Sequence, residues 1–243
     1  MSALGSSRPV LGLLLALLAC ACGSSGSPAA SGEGDAGDDG GTDLNPDGVP
    51  YPSPAGGYGH TPRSGSTPGS IIQNFQFQGY LNGDDTQPLT TISLANYYDP
   101  CNKRYKLIHL SVAAVWCVPC NEETTDLVAA QASLESQQIV VLQALDQGAV
   151  EGTAATVSDL QYWINEHMSN FTEMLDPGLH NFGGFFNAAA IPWNADVDPR
   201  TMELLDSSDG YSGSAQLEVE QGLSDIAKPT PSVYPISPAA NCQ

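Results

Sequence analysis

Five consecutive residues, Trp116-Cys117-Val118-Pro119-Cys120, carry the side chains best suited to chemistry. Two thiols three positions apart can join when the second lies in the first turn of a helix. The first then sits at the helix N-terminus, where unpaired backbone N–H groups stabilise an anion. A thiolate is the reactive form of cysteine, and such positions bring a cysteine pKa down to roughly 3.5–7.5. Pro119 suits a helix start because its missing N–H is not needed there. Cys117 is therefore the expected nucleophile, and Cys120 the thiol that resolves a mixed disulfide. Zinc would need a second closely spaced ligand pair, but Cys101 and Cys242 are isolated and the four histidines are dispersed. A haem-attachment site would need His at position 121, which is Asn. The expectation is no metal and no bound cofactor, since the two thiols carry the electrons. A purely structural disulfide is the other reading of the pair.

The motif needs a strand before it and a helix after it. Lys106 to Val115 is nearly continuous in apolar residues, as a central strand covered on both faces would be. After Cys120, Leu127, Ala130 and Leu134 recur at helical spacing behind Glu122, Glu123 and Asp126. Ile139 to Leu145 reads as a second apolar strand. Thr156-Val157-Ser158-Asp159 has the form of a capping box before Leu160, Trp163, Ile164 and His167. Phe171–Leu175 reads as a strand, Asp176-Pro177-Gly178 as a turn, and a short helix runs through Phe185. Ile191–Val197 and Met202–Leu205 bracket Asp198-Pro199-Arg200 as a hairpin, and Gln216–Ile226 forms a last helix. Upstream, Ile72, Phe75, Phe77 and Tyr80 suggest short strands before the Asn82-Gly83-Asp84 turn, and Ser93-Leu94 opens a helical turn. This order implies an α/β fold: a central mixed sheet flanked by helices.

The strand–Trp-Cys-x-Pro-Cys–helix arrangement resembles the thioredoxin-like superfamily, and within it the membrane-tethered TlpA-like and ResA-like redoxins. The similarity spans roughly Ile71 to Ile226. It implies a thioredoxin-like fold with an N-terminal β-hairpin extension, with Ile92-Ser93-Leu94-Ala95-Asn96-Tyr97 leading into the central strand. It also implies that Pro192 is the cis-proline beside the active site and Trp116 the flanking aromatic. A trans proline opening an edge strand is the alternative at 192. Trp193 directly after it points to an unusual recognition surface. The chain departs from thioredoxin six residues before the nucleophile, where Ser111 replaces a buried Asp, and a hydroxyl cannot accept a proton as a carboxylate does. His109, on the same strand face, is either a substitute in proton transfer or a hydrogen-bonded core residue. The charges of Glu122 and Glu123 oppose a thiolate and favour a reducing role. Peroxiredoxins need Thr three residues before their cysteine, where this chain has Ala114.

The termini set the compartment. Arg8 precedes an apolar stretch from Val10 to Ala19, shorter than the about 20 residues that span a bilayer. Residues 1–19 therefore read as a signal peptide. Leu17-Leu18-Ala19-Cys20 resembles the bacterial lipobox, which makes Cys20 the lipidated first residue. An ordinary signal cleaved near Ala21 is the alternative. In residues 23–70, 28 of 48 positions are Gly, Pro or Ser, too few apolar groups to offset the entropy of ordering. Residues 20–70 are thus expected to be a disordered tether reaching about 40 Å. The globular domain is expected over 71–227, with a Pro-rich tail over 228–243. In an oxidising compartment Cys101 and Cys242 can pair and tie that tail down.

With 27 acidic residues against 7 basic ones and a net charge of -20, the chain lacks the clustered cations that nucleic acid or anionic lipid requires. The expected protein is an exported, lipid-anchored monomer facing the periplasm or cell exterior. Its partners would be disulfide-containing exported clients and a membrane electron donor. A redox-inactive binding module on a surface lipoprotein and a thiol peroxidase are the alternatives.

Overall fold

The computed structural model describes residues 44–52, 69–185 and 190–227. The signal peptide, Cys20, Cys22 and the 228–243 tail with Cys242 lie outside them. The described residues carry seven strands in one sheet, ordered β2-β1-β5-β4-β3-β6-β7. The strands are β1 (Gln76–Tyr80), β2 (Thr90–Ser93), β3 (Leu107–Ala114), β4 (Ile139–Gln147), β5 (Thr172–Leu175), β6 (Trp193–Asp198) and β7 (Glu203–Asp209). Three α-helices accompany them: α1 (Val118–Ser136), α2 (Val157–His167) and α3 (Ala215–Ala227). β3, β4 and β5 run parallel, and the other pairings are antiparallel. The mixed sheet flanked by helices, and the N-terminal hairpin of β1 and β2, are as expected.

All eight residues of β3 are buried, because both faces of the central strand are covered. Ile108, Leu110 and Val112 point to one side. There they join Phe77, Tyr97, Phe182 and Trp193 in a core that, among the described residues, takes no side chain from an α-helix. Leu107 and Ala113 point to the other side, against Leu127 and Leu134 of α1, Leu160 and Trp163 of α2, and Val219 of α3. His109 and Ser111 alternate with these, so the helix-covered face carries a polar stripe beneath α1 and α3.

The local signals act as read. Thr156 caps α2, and Asp159 returns the bond to the cap. Gly83 sits at φ 64 between Asn82 and Asp84, where an added Cβ would lie 2.0 Å from the Ser169 carbonyl oxygen. Only glycine fits that turn. No described helix is long and apolar enough to cross a membrane.

The domain begins earlier than expected. Gly69 and Ser70 exchange backbone bonds with Leu204, and Ile71 bridges to Glu203, so this segment lines the edge at β7. Residues 44–52, read from composition as part of a disordered tether, are also packed on the domain. Asn45 is only 4% exposed. Its Nδ2 donates to the Tyr98 carbonyl at 3.0 Å, and its Oδ1 accepts from the backbone of Asp47 and Val49. The Tyr51 hydroxyl donates to the Ile72 carbonyl at 2.9 Å, and its ring meets Tyr98 edge-on. One buried Asn and one Tyr anchor a stretch whose three Pro, one Gly and one Asp in nine residues read as linker. Asn45→Ala removes the amide donor to the Tyr98 carbonyl and the acceptor of the Asp47 and Val49 N–H groups. We expect a loss of about 1–3 kcal/mol, visible as a lower Tm in a thermal melt.

Candidate active site

β3 ends at Ala114, and the chain turns through Val115 and Trp116 into α1. Cys117 is the N-cap of α1, and its Sγ accepts from the Cys120 N–H at 3.2 Å. The sequence positions that could bond do bond: Cys117 and Cys120 form a disulfide with Sγ–Sγ 2.06 Å and Cα–Cα 5.2 Å. Cys120 is fully buried, while Cys117 keeps 2% exposure. Asn121 holds the loop by donating to the carbonyls of Cys117 at 2.7 Å and Val115 at 3.2 Å. Trp116 is fastened by its indole N–H to Gln147 Oε1 at 2.9 Å. Between the cysteines, Val118 is 66% exposed. It borders an open groove shared with Asn121, Glu122, Thr125, Asp126 and Tyr211.

The Ile191–Pro192 peptide bond is cis. The Ile191 carbonyl oxygen stands 3.6 Å from Cys117 Sγ, and the Pro192 carbonyl accepts from Gly210 N–H at 2.7 Å. Trp193, by contrast, is not on the recognition surface. It is 1% exposed and packs with tilted rings against Phe182 and Phe185 in the aromatic core. Strand alternation from Pro192 turns it away from the disulfide.

A buried carboxylate lies on α1 one turn beyond Cys120. Glu123 is fully buried. It belongs to the stripe Cys120, Glu123, Thr124, Leu127, Ala130, Gln131 and Leu134 that α1 lays on the sheet. Ser111 Oγ–H donates to its Oε2 at 3.1 Å, and Asn194 Nδ2 donates to its Oε1. Burial pushes its pKa up to about 7 against the pull of His109, Asn194 and Ser111. The sequence marks Glu123 with Glu122 only as charge that opposes the thiolate. The signal that could have found it is its spacing, three residues after Cys120 and four before Leu127.

Ser111 extends the network. Gln143 Nε2 donates to Ser111 Oγ at 3.2 Å, while Gln143 Oε1 accepts from Thr124 at 3.0 Å and from Trp163 Nε1 at 2.8 Å. Asn194, Ser111, Gln143 and Glu173 stand in register across four strands. Glu173 is also buried, and desolvation raises its pKa well above the usual carboxylate range.

His109 is drawn into an ion pair, with Nδ1 2.8 Å from Asp196 Oδ1. Burial lowers its pKa, but the bond and charge of Asp196, with Glu123 and Glu218, bring it to a net rise. Asp196 sits where a side chain at Gly222 of α3 would go: a Cβ there would lie 2.1 Å from its Oδ2. In an ordinary helix Gly→Ala gains up to about 1 kcal/mol. Here we expect Gly222→Ala to destabilise by about 1–3 kcal/mol, with the His109 ring resonances displaced; urea titration and NMR read both.

Cys101 is disulfide-bonded, and its expected partner Cys242 lies outside the described residues. Among the described residues no three His, Cys, Asp or Glu side chains are grouped to hold a metal ion.

Neither a family model nor a curated protein sequence matches the chain. Solved structures do. A Chlorobium tepidum protein described as a thiol:disulfide interchange protein DsbE is 17% identical, with TM-score 0.50 over 66% of this chain and 98% of its own. A secreted thiol-disulfide isomerase from Corynebacterium glutamicum is 15% identical, with TM-score 0.49 over 65% of this chain and 86% of its own. Enterococcus faecalis AhpC is 16% identical, with TM-score 0.49 over 69% of this chain and 99% of its own. The first of these matches, together with the strand order and the Cys pair at the start of α1, establishes that the chain has the thioredoxin-like fold.

Proposed function

We propose that this chain is an exported, lipid-anchored thiol–disulfide oxidoreductase that reduces disulfides in exported client proteins. One observation carries it: the Cys117–Cys120 pair opens α1 with the buried Glu123 one turn further along. In the reduced protein, the Cys117 thiolate attacks a client disulfide, forming a mixed disulfide and releasing one client thiolate, which takes a proton from solvent. Cys120 then passes its proton to Glu123 and attacks Cys117 Sγ. The second client thiolate leaves and is protonated in turn, and Cys117–Cys120 becomes the disulfide. Two electrons move from the protein to the client, and a membrane donor would return them. Ionised Glu123 opposes negative charge on Cys120 and so favours the disulfide product, which supports the reducing direction.

The lipobox-like Leu17-Leu18-Ala19-Cys20 supports anchoring through Cys20, and the oxidising compartment that this implies supports a Cys101–Cys242 bond. The test is insulin reduction by the full chain with dithiothreitol as donor. Catalysed precipitation supports the proposal, and a rate equal to dithiothreitol alone overturns it in favour of a binding module. A reduction potential at the strongly oxidising end of the superfamily would overturn the direction. Palmitate labelling tests the anchor, and a mature N-terminus without lipid removes it.

A further inference from the structure

A cleft of about 370 Å³ opens between α3 and the strands β6 and β7. His109, Asn194, Asp196, Asp206, Leu217 and Glu218 are among the residues that line it. The hydrogen bonds in it are incomplete in one sense only. Asn194 is 3% exposed; its Nδ2 is committed to Glu123, and its buried Oδ1 has no donor. Glu218 Oε1 accepts from the Ser212 N–H, and its buried Oε2 has no donor. Both open positions are acceptors, and buried acceptors without donors are uncommon in folded proteins.

The charge is incomplete in the same sense. Asp196 and Asp206 face each other across the β6–β7 pair, an arrangement that repels. His109, the cationic group there, lies against Asp196 and also feels the charge of Glu218, so the three lining carboxylates Asp196, Asp206 and Glu218 share one cation. Leu217, 67% exposed, offers an apolar surface along which an alkyl stem can lie while its charged head reaches inward.

We propose that this cleft binds an alkylammonium or alkylguanidinium cation, the group carried by lysine and arginine side chains. Its N–H groups donate to Asn194 Oδ1 and Glu218 Oε2, its charge neutralises Asp206 and Glu218, and its stem rests on Leu217. The site is separate from the disulfide and does not depend on the redox proposal.

The experiment is an NMR titration of the full oxidised chain at 0.15 M salt, where general attraction to an acidic protein is screened beyond about 8 Å. The probes are agmatine, N-acetyl-lysine methylamide and the neutral N-acetyl-norleucine methylamide. The two cations should move the Asn194 side-chain amide and the Glu218 carboxyl carbon saturably, and the neutral probe should not. Asp206→Asn, on the exposed rim, and Glu218→Gln should each weaken binding about tenfold, as losing a charged hydrogen-bond partner does. Binding by the lysine derivative but not by agmatine assigns the cation to a polypeptide, and binding by both admits a free amine; either supports the site. No saturation, equal binding by the neutral probe, or equal binding by Asp206→Asn overturns it. Because binding is read directly, cation binding without insulin reduction would sink only the redox proposal, and the reverse only this one.

Discussion

Cys117→Ser brings insulin reduction down to the dithiothreitol background, while Cys120→Ser stops at a trapped intermediate. The geometry sets this asymmetry. Cys117 caps α1 and is the member of the pair that keeps any exposure, so it is the sulfur a client can reach. Without it no attack starts, and the hydroxyl of serine is no substitute at neutral pH. With Cys120→Ser the attack still occurs, because the helix N-terminus that favours the Cys117 thiolate is unchanged. What is lost is the internal thiol that displaces the client. The variant should therefore accumulate a covalent client adduct, visible by non-reducing electrophoresis and released by dithiothreitol. If Cys117→Ser kept turnover, or if the adduct formed on Cys120 instead, the assignment of nucleophile and resolving thiol would be reversed.

Much of the architecture was legible in the sequence because its signals are local or periodic. The apolar run that became β3, the Thr156–Asp159 box and the hairpin around Pro199 each need only neighbouring residues to be read. What composition misread was set by single side chains. Residues 44–52 look like linker by average content, yet Asn45 finds a bond for its amide in Tyr98 and Tyr51 reaches Ile72. Trp193 beside Pro192 suggested surface, and alternation along β6 sends it into the aromatic core. The site was half legible. A Cys-x-Pro-Cys motif announces itself, but the carboxylate beneath it does not. Replacing the buried Asp of thioredoxin by Ser111 looked like the loss of a proton acceptor. In three dimensions the hydroxyl instead bonds Glu123, which arrives from the opposite side on α1. A carboxylate stands against Ser111 after all, and only the packing of α1 on β3 and β6 reveals it.

That exchange leads to the prediction with the clearest pH signature. Glu123→Gln keeps the shape and can still bond Ser111 and Asn194, but it cannot take a proton from Cys120. Loss of a positioned general base lowers a rate by about 10²–10⁴-fold, so the variant should form the mixed disulfide normally and release client slowly. In the wild type, release should speed up as pH rises through about 7, where Glu123 ionises; in the variant that rise should vanish. Stability gives an independent reading of the same group. Burial raises its folded pKa to about 7, above the ordinary glutamate value of 4.5. Between those values the native protein holds a proton that the unfolded chain has lost. Native stability therefore falls as pH rises across that window, by about 3 kcal/mol for this group once pH exceeds 7. Gln does not titrate, so urea unfolding of the two proteins at pH 4 and pH 8 isolates the effect from other buried acids such as Glu173. The variant should lose less stability between the two pH values than the wild type does. Equal pH dependence in both proteins, with client release undiminished, would remove Glu123 from the proton path and leave Cys120 to ionise unaided.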